Sequence, residues 1–201
     1  MKILVVGLLL YAAIFLGFRR GTVEELQTGA YLPNADDPLC EISGQGLTLH
    51  KASGPNGLLV MFISNTCPYV LRNQDRTNAV CHFAQAHQVG VVLLNANEAE
   101  RQQRESIAAM RTYARNQCFS WYYAVDEGAR LADAFGAYHT PDCFLFDKDH
   151  KLVYKGGIDD NPGNAGQVKV HYLQNALEAL IAGKAVTENT GEDIGCSIKR
   201  M

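Results

Sequence analysis

Residues 58–70, reading Leu58-Leu59-Val60-Met61-Phe62-Ile63-Ser64-Asn65-Thr66-Cys67-Pro68-Tyr69-Val70, constrain this chain more than any other stretch. The apolar run over 58–63 reads as a buried strand. It breaks at Ser64-Asn65-Thr66 and delivers one cysteine directly before a proline, after which helix-favouring sequence begins. Proline is tolerated in the first helical turn, where its missing N–H would be unpaired anyway. Cys67 is therefore expected at or beside a helix cap. There its sulfur would face unpaired backbone N–H groups and the positive end of the helix dipole, which favour thiolate over thiol. A thiolate is a nucleophile, and the rest of the chain is read for what a reactive thiolate needs.

With 201 residues, 47% of them hydrophobic, the chain fits one globular domain plus a short extension. A net charge of −3 and the lack of a long basic run argue against nucleic-acid binding. The expected plan is a signal peptide or short membrane anchor over 1–20, a linker over 21–38, a domain over 39–183 and a C-terminal tail over 184–201 carrying Cys196. Residues 3–18 are uncharged and mostly apolar, between Lys2 and Arg19-Arg20. As a helix they reach about 24 Å, short of a ~30 Å hydrocarbon core and suited to a secretory h-region. Export is the expectation, to a periplasmic or membrane-anchored location with membrane association through residues 3–18. Arg19 and Arg20 outweigh Lys2, which argues for the alternative of an anchor with a cytoplasmic-facing domain.

Along the domain, a short strand is expected over 47–50, a turn at 53–57 and the buried strand at 58–63. A helix follows over 68–88, with Val70, Thr77, Val80, Cys81 and Ala84 on one face, and then an apolar strand over 91–94. Strand, helix, strand implies a parallel unit with a right-handed crossover. Further on come a polar segment over 95–104, a helix over 105–116, a strand over 121–125 and a short helix over 128–135. A hairpin over 143–154 turns at 147–150. A Gly/Asn/Asp loop over 159–166, a closing amphipathic helix over 170–182 and an irregular tail complete the order.

This order, with Thr140-Pro141 ahead of an antiparallel hairpin and a closing helix, resembles a thioredoxin-like fold. The chain is similar to the peroxiredoxin-like redoxins related to alkyl hydroperoxide reductase and the thiol-specific antioxidants. Asn65-Thr66-Cys67-Pro68-Tyr69-Val70, Thr140-Pro141 with Phe144-Leu145-Phe146-Asp147, residues 154–161 and Gly195-Cys196-Ser197-Ile198-Lys199 carry the likeness, over about residues 40–201. The resemblance implies an α/β fold of three layers, a central mixed sheet flanked by helices, with Pro141 as a cis-proline near Cys67. Three departures stand out. Val70 occupies the place of a thioredoxin's second cysteine. Of the peroxiredoxin Pro-x-x-x-Thr-x-x-Cys pattern only Ser64 stands in, for the threonine, while Val60 replaces the proline and no arginine can be assigned. Cys143 stands where an aliphatic residue is usual.

Six cysteines, Cys40, Cys67, Cys81, Cys118, Cys143 and Cys196, form no C-x-x-C pair. Resolving an oxidised Cys67 demands a sulfur whose Cα approaches within about 7 Å. Cys81 lies fourteen residues along the same helix, about 21 Å away, and reads as core. Cys196, between Gly195 and Ser197, has the tail mobility to swing onto Cys67, with a structural bridge to Cys40 as the alternative. Cys143, two residues beyond Pro141, is the second candidate resolving thiol, or a small core residue. Cys40 and Cys118 read as structural. Asn65, Thr66, Pro68, Tyr69 and Thr140 are expected to shape access to the sulfur.

The function read from these residues is thiol-based redox chemistry, an oxidoreductase in which Cys67 attacks a protein disulfide or a small peroxide and an internal thiol, Cys196 first and Cys143 second, or an external thiol resolves it. The rival is a non-catalytic scaffold that binds a partner protein and keeps Cys67 as a relic. Copper or zinc delivery is a third reading, with His139 the sole recruit among six scattered histidines. No metal site and no organic cofactor are expected.

Overall fold

The structure, a computed structural model, describes residues 25–188, 190–191 and 194–201. The expected signal or anchor over 1–20 lies outside the described residues. Among those described, no helix is long and apolar enough to cross a membrane.

The central strand is β3 (Leu58–Phe62), every residue of which is buried, along with Ile63. Fully burying side chains of this size contributes roughly 1.5–3 kcal/mol each, so this run takes the middle of the sheet. Parallel to it run β4 (Gly90–Asn95) and then β5 (Tyr122–Val125). On its other side the hairpin of β7 (Asp142–Phe146) and β8 (Leu152–Gly156) is antiparallel. Beyond β5 lie β1 (Leu39–Glu41) and β2 (Gly46–Leu47), giving seven strands in the order β2-β1-β5-β4-β3-β7-β8. Gly57 opens β3 with φ +130, and a Cβ there would meet the Phe146 carbonyl at 2.1 Å, so the turn ahead of the strand requires glycine.

Period-two alternation sends Leu59, Met61 and Ile63 to one face of the sheet and Leu58, Val60 and Phe62 to the other. The first face is covered by α2 (Pro68–Arg72), α3 (Gln74–Ala86), α4 (Ile107–Asn116) and α6 (Tyr172–Ile181). The second is covered by α1 (Leu49–Ala52) and α5 (Arg130–Phe135), where Phe62, Phe135, Phe144 and Phe146 meet edge to face. The expected three-layer, thioredoxin-like arrangement is the one adopted.

Three local expectations are corrected. Residues 47–50 do not form one strand, because Thr48 accepts a hydrogen bond from the Lys51 N–H at 3.0 Å and starts α1 instead. The long helix over 68–88 is two helices. Asn73 leaves helical geometry between them and spends its amide on the carbonyls of Tyr69 and Pro162. The tail is not irregular throughout, since β9 (Cys196–Ser197) pairs antiparallel with β6 (His139–Thr140), apart from the main sheet.

Residues 25–38 are laid along the domain by backbone hydrogen bonds. Leu26 donates to Phe135, Gly29 to Leu152 and Leu32 to His150.

Candidate active site

Cys67 is the N-cap of α2, with extended backbone and Pro68 as the first helical residue. The residue is 3% exposed. Its sulfur lies 3.1 Å from the Thr140 carbonyl, next to the cis Thr140–Pro141 bond. In β9, Cys196 stands directly across from Thr140 in the ladder, so the strand that meets Cys67 also carries a second sulfur to it. All six cysteines are thiols.

Burial opposes ionisation of Cys67, and the Thr140 carbonyl accepts from its protonated form. Against that, the Cys196 thiol and the Thr140 side chain donate to the sulfur, as do the backbone N–H groups of Val70 and Cys196. The net effect holds Cys67 below the ordinary thiol range. Cys196 moves the opposite way, pushed up to about 11 by burial, by its hydrogen bond to Cys67 and by the neighbouring Cys67 charge. Of the two sulfurs, Cys67 is thus the one that gives up its proton first.

The tail is held by more than the ladder. Ile198 donates to the Tyr138 carbonyl at 2.9 Å and is itself buried, while Lys199 is gripped from both sides by Asn97 Oδ1 and the Ala99 N–H. Arg200 reaches Asp133 at 2.8 Å and the Ala137 carbonyl at 2.7 Å. The expectation of a tail that swings onto Cys67 is therefore revised: Cys196 is already docked beside it. The alternative bridge to Cys40 is absent, since Cys40 lies in β1 opposite Val125.

A cavity of about 190 Å³ opens on the pair, lined by Thr66, Cys67, Pro68, Glu105, Cys196 and Lys199 among others. Beneath it the loop over 64–66 is tied to Glu105, a residue with no exposed surface. One carboxylate oxygen accepts from Ser64 Oγ at 2.5 Å and Thr66 Oγ1 at 2.9 Å. The other accepts from the Asn65 N–H at 3.1 Å and Asn95 Nδ2 at 2.6 Å. Tyr123 donates to Asn65 Oδ1 at 2.8 Å from below. Arg101 clamps the segment by donating to the carbonyls of Glu105 and Asn95, both at 2.6 Å.

Of the residues singled out from sequence, Cys67, Cys196, Thr66, Pro68 and Thr140 line one cavity. Asn65 sits one layer below in the Glu105 network, and the Tyr69 N–H is aimed at Cys196 while its ring lies under the Arg72 guanidinium, 5.9 Å away. Pro141 follows Thr140 through the cis bond. Cys143 has no exposed surface and is paired with Met61 in the middle of the sheet. Cys81 is packed against the Met61 sulfur at 3.9 Å, its thiol pushed far up by burial. Sequence reasoning missed Glu105, Asn95, Asn97 and Arg101. Glu105 stood as the first residue of a helix, and no local spacing marks a lone glutamate as the partner of a loop forty residues earlier. Among the described residues no group of three or more His, Cys, Asp or Glu could hold a metal ion.

Among curated proteins, no sequence matches the chain. Among solved structures, it is similar to an uncharacterized conserved protein from Geobacillus kaustophilus, with 32% identity and a TM-score of 0.79 over 87% of this chain and 93% of that one. Two more distant likenesses concern the fold alone. One is the bacterioferritin comigratory protein of Xanthomonas campestris, described for alkyl peroxide reduction, with 18% identity and a TM-score of 0.57 over 78% and 99%. The other is the thioredoxin domain of a thiol-disulfide oxidoreductase from Bacteroides vulgatus, with 14% identity and a TM-score of 0.60 over 78% and 99%. The Redoxin family model matches residues 27–174. Across most of its length, and with a cysteine capping the helix after its central strand, the chain belongs to the Redoxin family.

Proposed function

We propose that this protein is a two-cysteine thiol oxidoreductase that reduces small hydroperoxides, with Cys67 as nucleophile and Cys196 as resolving thiol. A thiol redox function in the general sense agrees with its family. One observation carries the finer reading. The backbone edge at Thr140 and the sulfur of Cys67 are both covered by β9, which brings Cys196 into hydrogen-bonding reach. A protein disulfide would have to displace this strand to present its own sulfur, whereas a small oxidant needs only the cavity of about 190 Å³.

The cycle balances with groups already named. The Cys67 thiolate attacks the O–H oxygen of a hydroperoxide, the O–O bond breaks, and the departing alkoxide takes a proton from solvent water, which regains the one Cys67 released on ionising, to leave as alcohol. Cys67 is then a sulfenic acid. The Cys196 sulfur attacks it, the S–O bond breaks, and hydroxide leaves as water with the Cys196 proton. An external thiol reductant cleaves the resulting disulfide, with Cys67 the better leaving group because its thiolate is the more stable of the two.

Stopped-flow oxidation of the reduced protein by an alkyl hydroperoxide, set against a disulfide-bonded protein at equal concentration, tests the reading. Faster reaction with the hydroperoxide, abolished in Cys67→Ser, is expected. Faster reaction with the protein disulfide would overturn the choice of substrate, and an inert Cys67 would overturn the catalytic reading altogether.

A further inference from the structure

Glu105 does more than tie down a loop. A hydroxyl carries one proton, and an ionised carboxylate can only accept. Ser64 and Thr66 both point their protons at the same Glu105 oxygen, at 2.5 and 2.9 Å. Ser64 Oγ accepts from the Thr66 N–H at 3.2 Å and lies 3.3 Å from Thr66 Oγ1, a longer contact than the 2.9 Å one from Thr66 Oγ1 to Glu105. Thr66 Oγ1 is left with lone pairs alone, and Thr66 lines the cavity that holds the Cys67 sulfur. The second Glu105 oxygen is taken by the Asn65 N–H and Asn95 Nδ2, so the carboxylate cannot turn to release either hydroxyl. Arg101 holds the backbone on both sides of the acid, at Glu105 and Asn95.

A hydroxyl forced to act purely as an acceptor beside a nucleophilic sulfur discriminates by chemistry. It welcomes a ligand that brings an O–H and repels one that brings only lone pairs. A hydroperoxide carries its single O–H on the oxygen that Cys67 attacks. A dialkyl disulfide has no proton to offer, and an anion would meet lone pair against lone pair. We infer that Glu105 is a positioning residue which fixes the Thr66 hydroxyl as acceptor for the O–H of a hydroperoxide, orienting its terminal oxygen toward Cys67. The inference rests on the hydroperoxide reading above and deepens it. It adds Thr66 to Ser64, the residue singled out by sequence resemblance, which lines the same cavity and donates to the same Glu105 oxygen.

The experiment compares wild type, Glu105→Gln, Thr66→Val and the double variant, each judged folded by its unfolding transition. Two reagents are used: an alkyl hydroperoxide, and methyl methanethiosulfonate, which has no O–H or N–H. In Glu105→Gln one side of the amide becomes a donor; the Asn65 backbone N–H cannot reverse and keeps the amide oxygen, so the NH2 turns to the hydroxyls, which must rotate to accept from it. The expected result is about a 10-fold or greater fall in the hydroperoxide rate constant. The thiosulfonate rate and its pH profile should stay within about 3-fold of wild type, because the thiolate itself is untouched. Thr66→Val should match Glu105→Gln, and the double variant should be no slower than either, since both remove one interaction. Thr66→Ser should restore the hydroperoxide rate. Equal slowing with both reagents would assign Glu105 a purely structural role and overturn the inference, as would additive losses in the double variant. If Glu105→Gln does not fold, Thr66→Val against Thr66→Ser decides the same question, and equal hydroperoxide rates for those two would overturn it. A wild-type protein that ignores hydroperoxide while reacting with thiosulfonate would sink the substrate reading itself, an outcome distinct from unchanged variants on a reactive wild type.

Discussion

Replacing Gly195 with alanine puts a methyl group into the seam between the tail and the strand over Cys67. A Cβ on Gly195 would lie 2.4 Å from the Thr140 oxygen, 2.9 Å from the Thr140 carbonyl carbon and 3.1 Å from His139 Cβ. Two of these atoms are backbone of β6, which leads through Pro141 into β7 of the central sheet, so β9 is the part that must move. Overpacking of this kind costs about 1–3 kcal/mol, and here it falls on tail docking alone. The docked-to-released ratio should drop roughly 5- to 150-fold. Hydrogen exchange reads that ratio directly, through the Ile198 N–H bonded to the Tyr138 carbonyl and the Lys199 N–H bonded to Asn97. Protection at those two amides should fall by the same factor while the amides of β3 and β4 keep theirs. Unchanged protection at Ile198 would refute the tight seam, and a parallel loss in β3 would refute the view that the tail is docked independently of the core.

Other perturbations have equally definite outcomes. Alkylation of Cys67 should reach half its limiting rate below the ordinary thiol midpoint of about 8.5, and Cys196→Ala should move that midpoint up by removing a donor to the thiolate. Because folding depresses the Cys67 pKa, its ionisation adds stability above the unfolded value and loses it as pH falls through the folded one. Urea unfolding of the wild type should show that gain as pH rises from about 6 toward the unfolded thiol value of about 8.5, and Cys67→Ala should lack it. Phe135→Ala removes a ring in contact with Phe62, Phe144 and Phe146 and should cost about 3–5 kcal/mol in urea unfolding. Thr48→Ala strips the cap from α1 and should cost about 1 kcal/mol by the same measurement.

The parts of this molecule that depend on neighbours in sequence were readable from sequence. The run over 58–63 became the central strand because six apolar residues have nowhere else to go, and Pro68 made Cys67 the cap of the helix that follows. Val70, Thr77, Val80, Cys81 and Ala84 all turned inward as their spacing required. Competing local bonds defeated the reading at Thr48 and Asn73. Each offers a side chain to the backbone, and no periodicity registers that. The site was half legible. Cys67, Thr140 and Cys196 were singled out one by one, but a strand as short as β9 carries no alternation of its own, and its docking depends on partners far away at Tyr138, Asn97 and Asp133. Glu105 was invisible for the same reason. Its role exists only once β4 and the loop over 64–66 lie side by side.

The most direct test of the central claim, that Cys67 and Cys196 form one preassembled redox pair, is disulfide mapping. The fully reduced protein is given one equivalent of hydroperoxide, quenched by acid and digested. A Cys67–Cys196 disulfide with the other four thiols still free is the predicted product. Cys67 left as a sulfenic acid beside an unreacted Cys196, or joined to any other cysteine, would contradict the account.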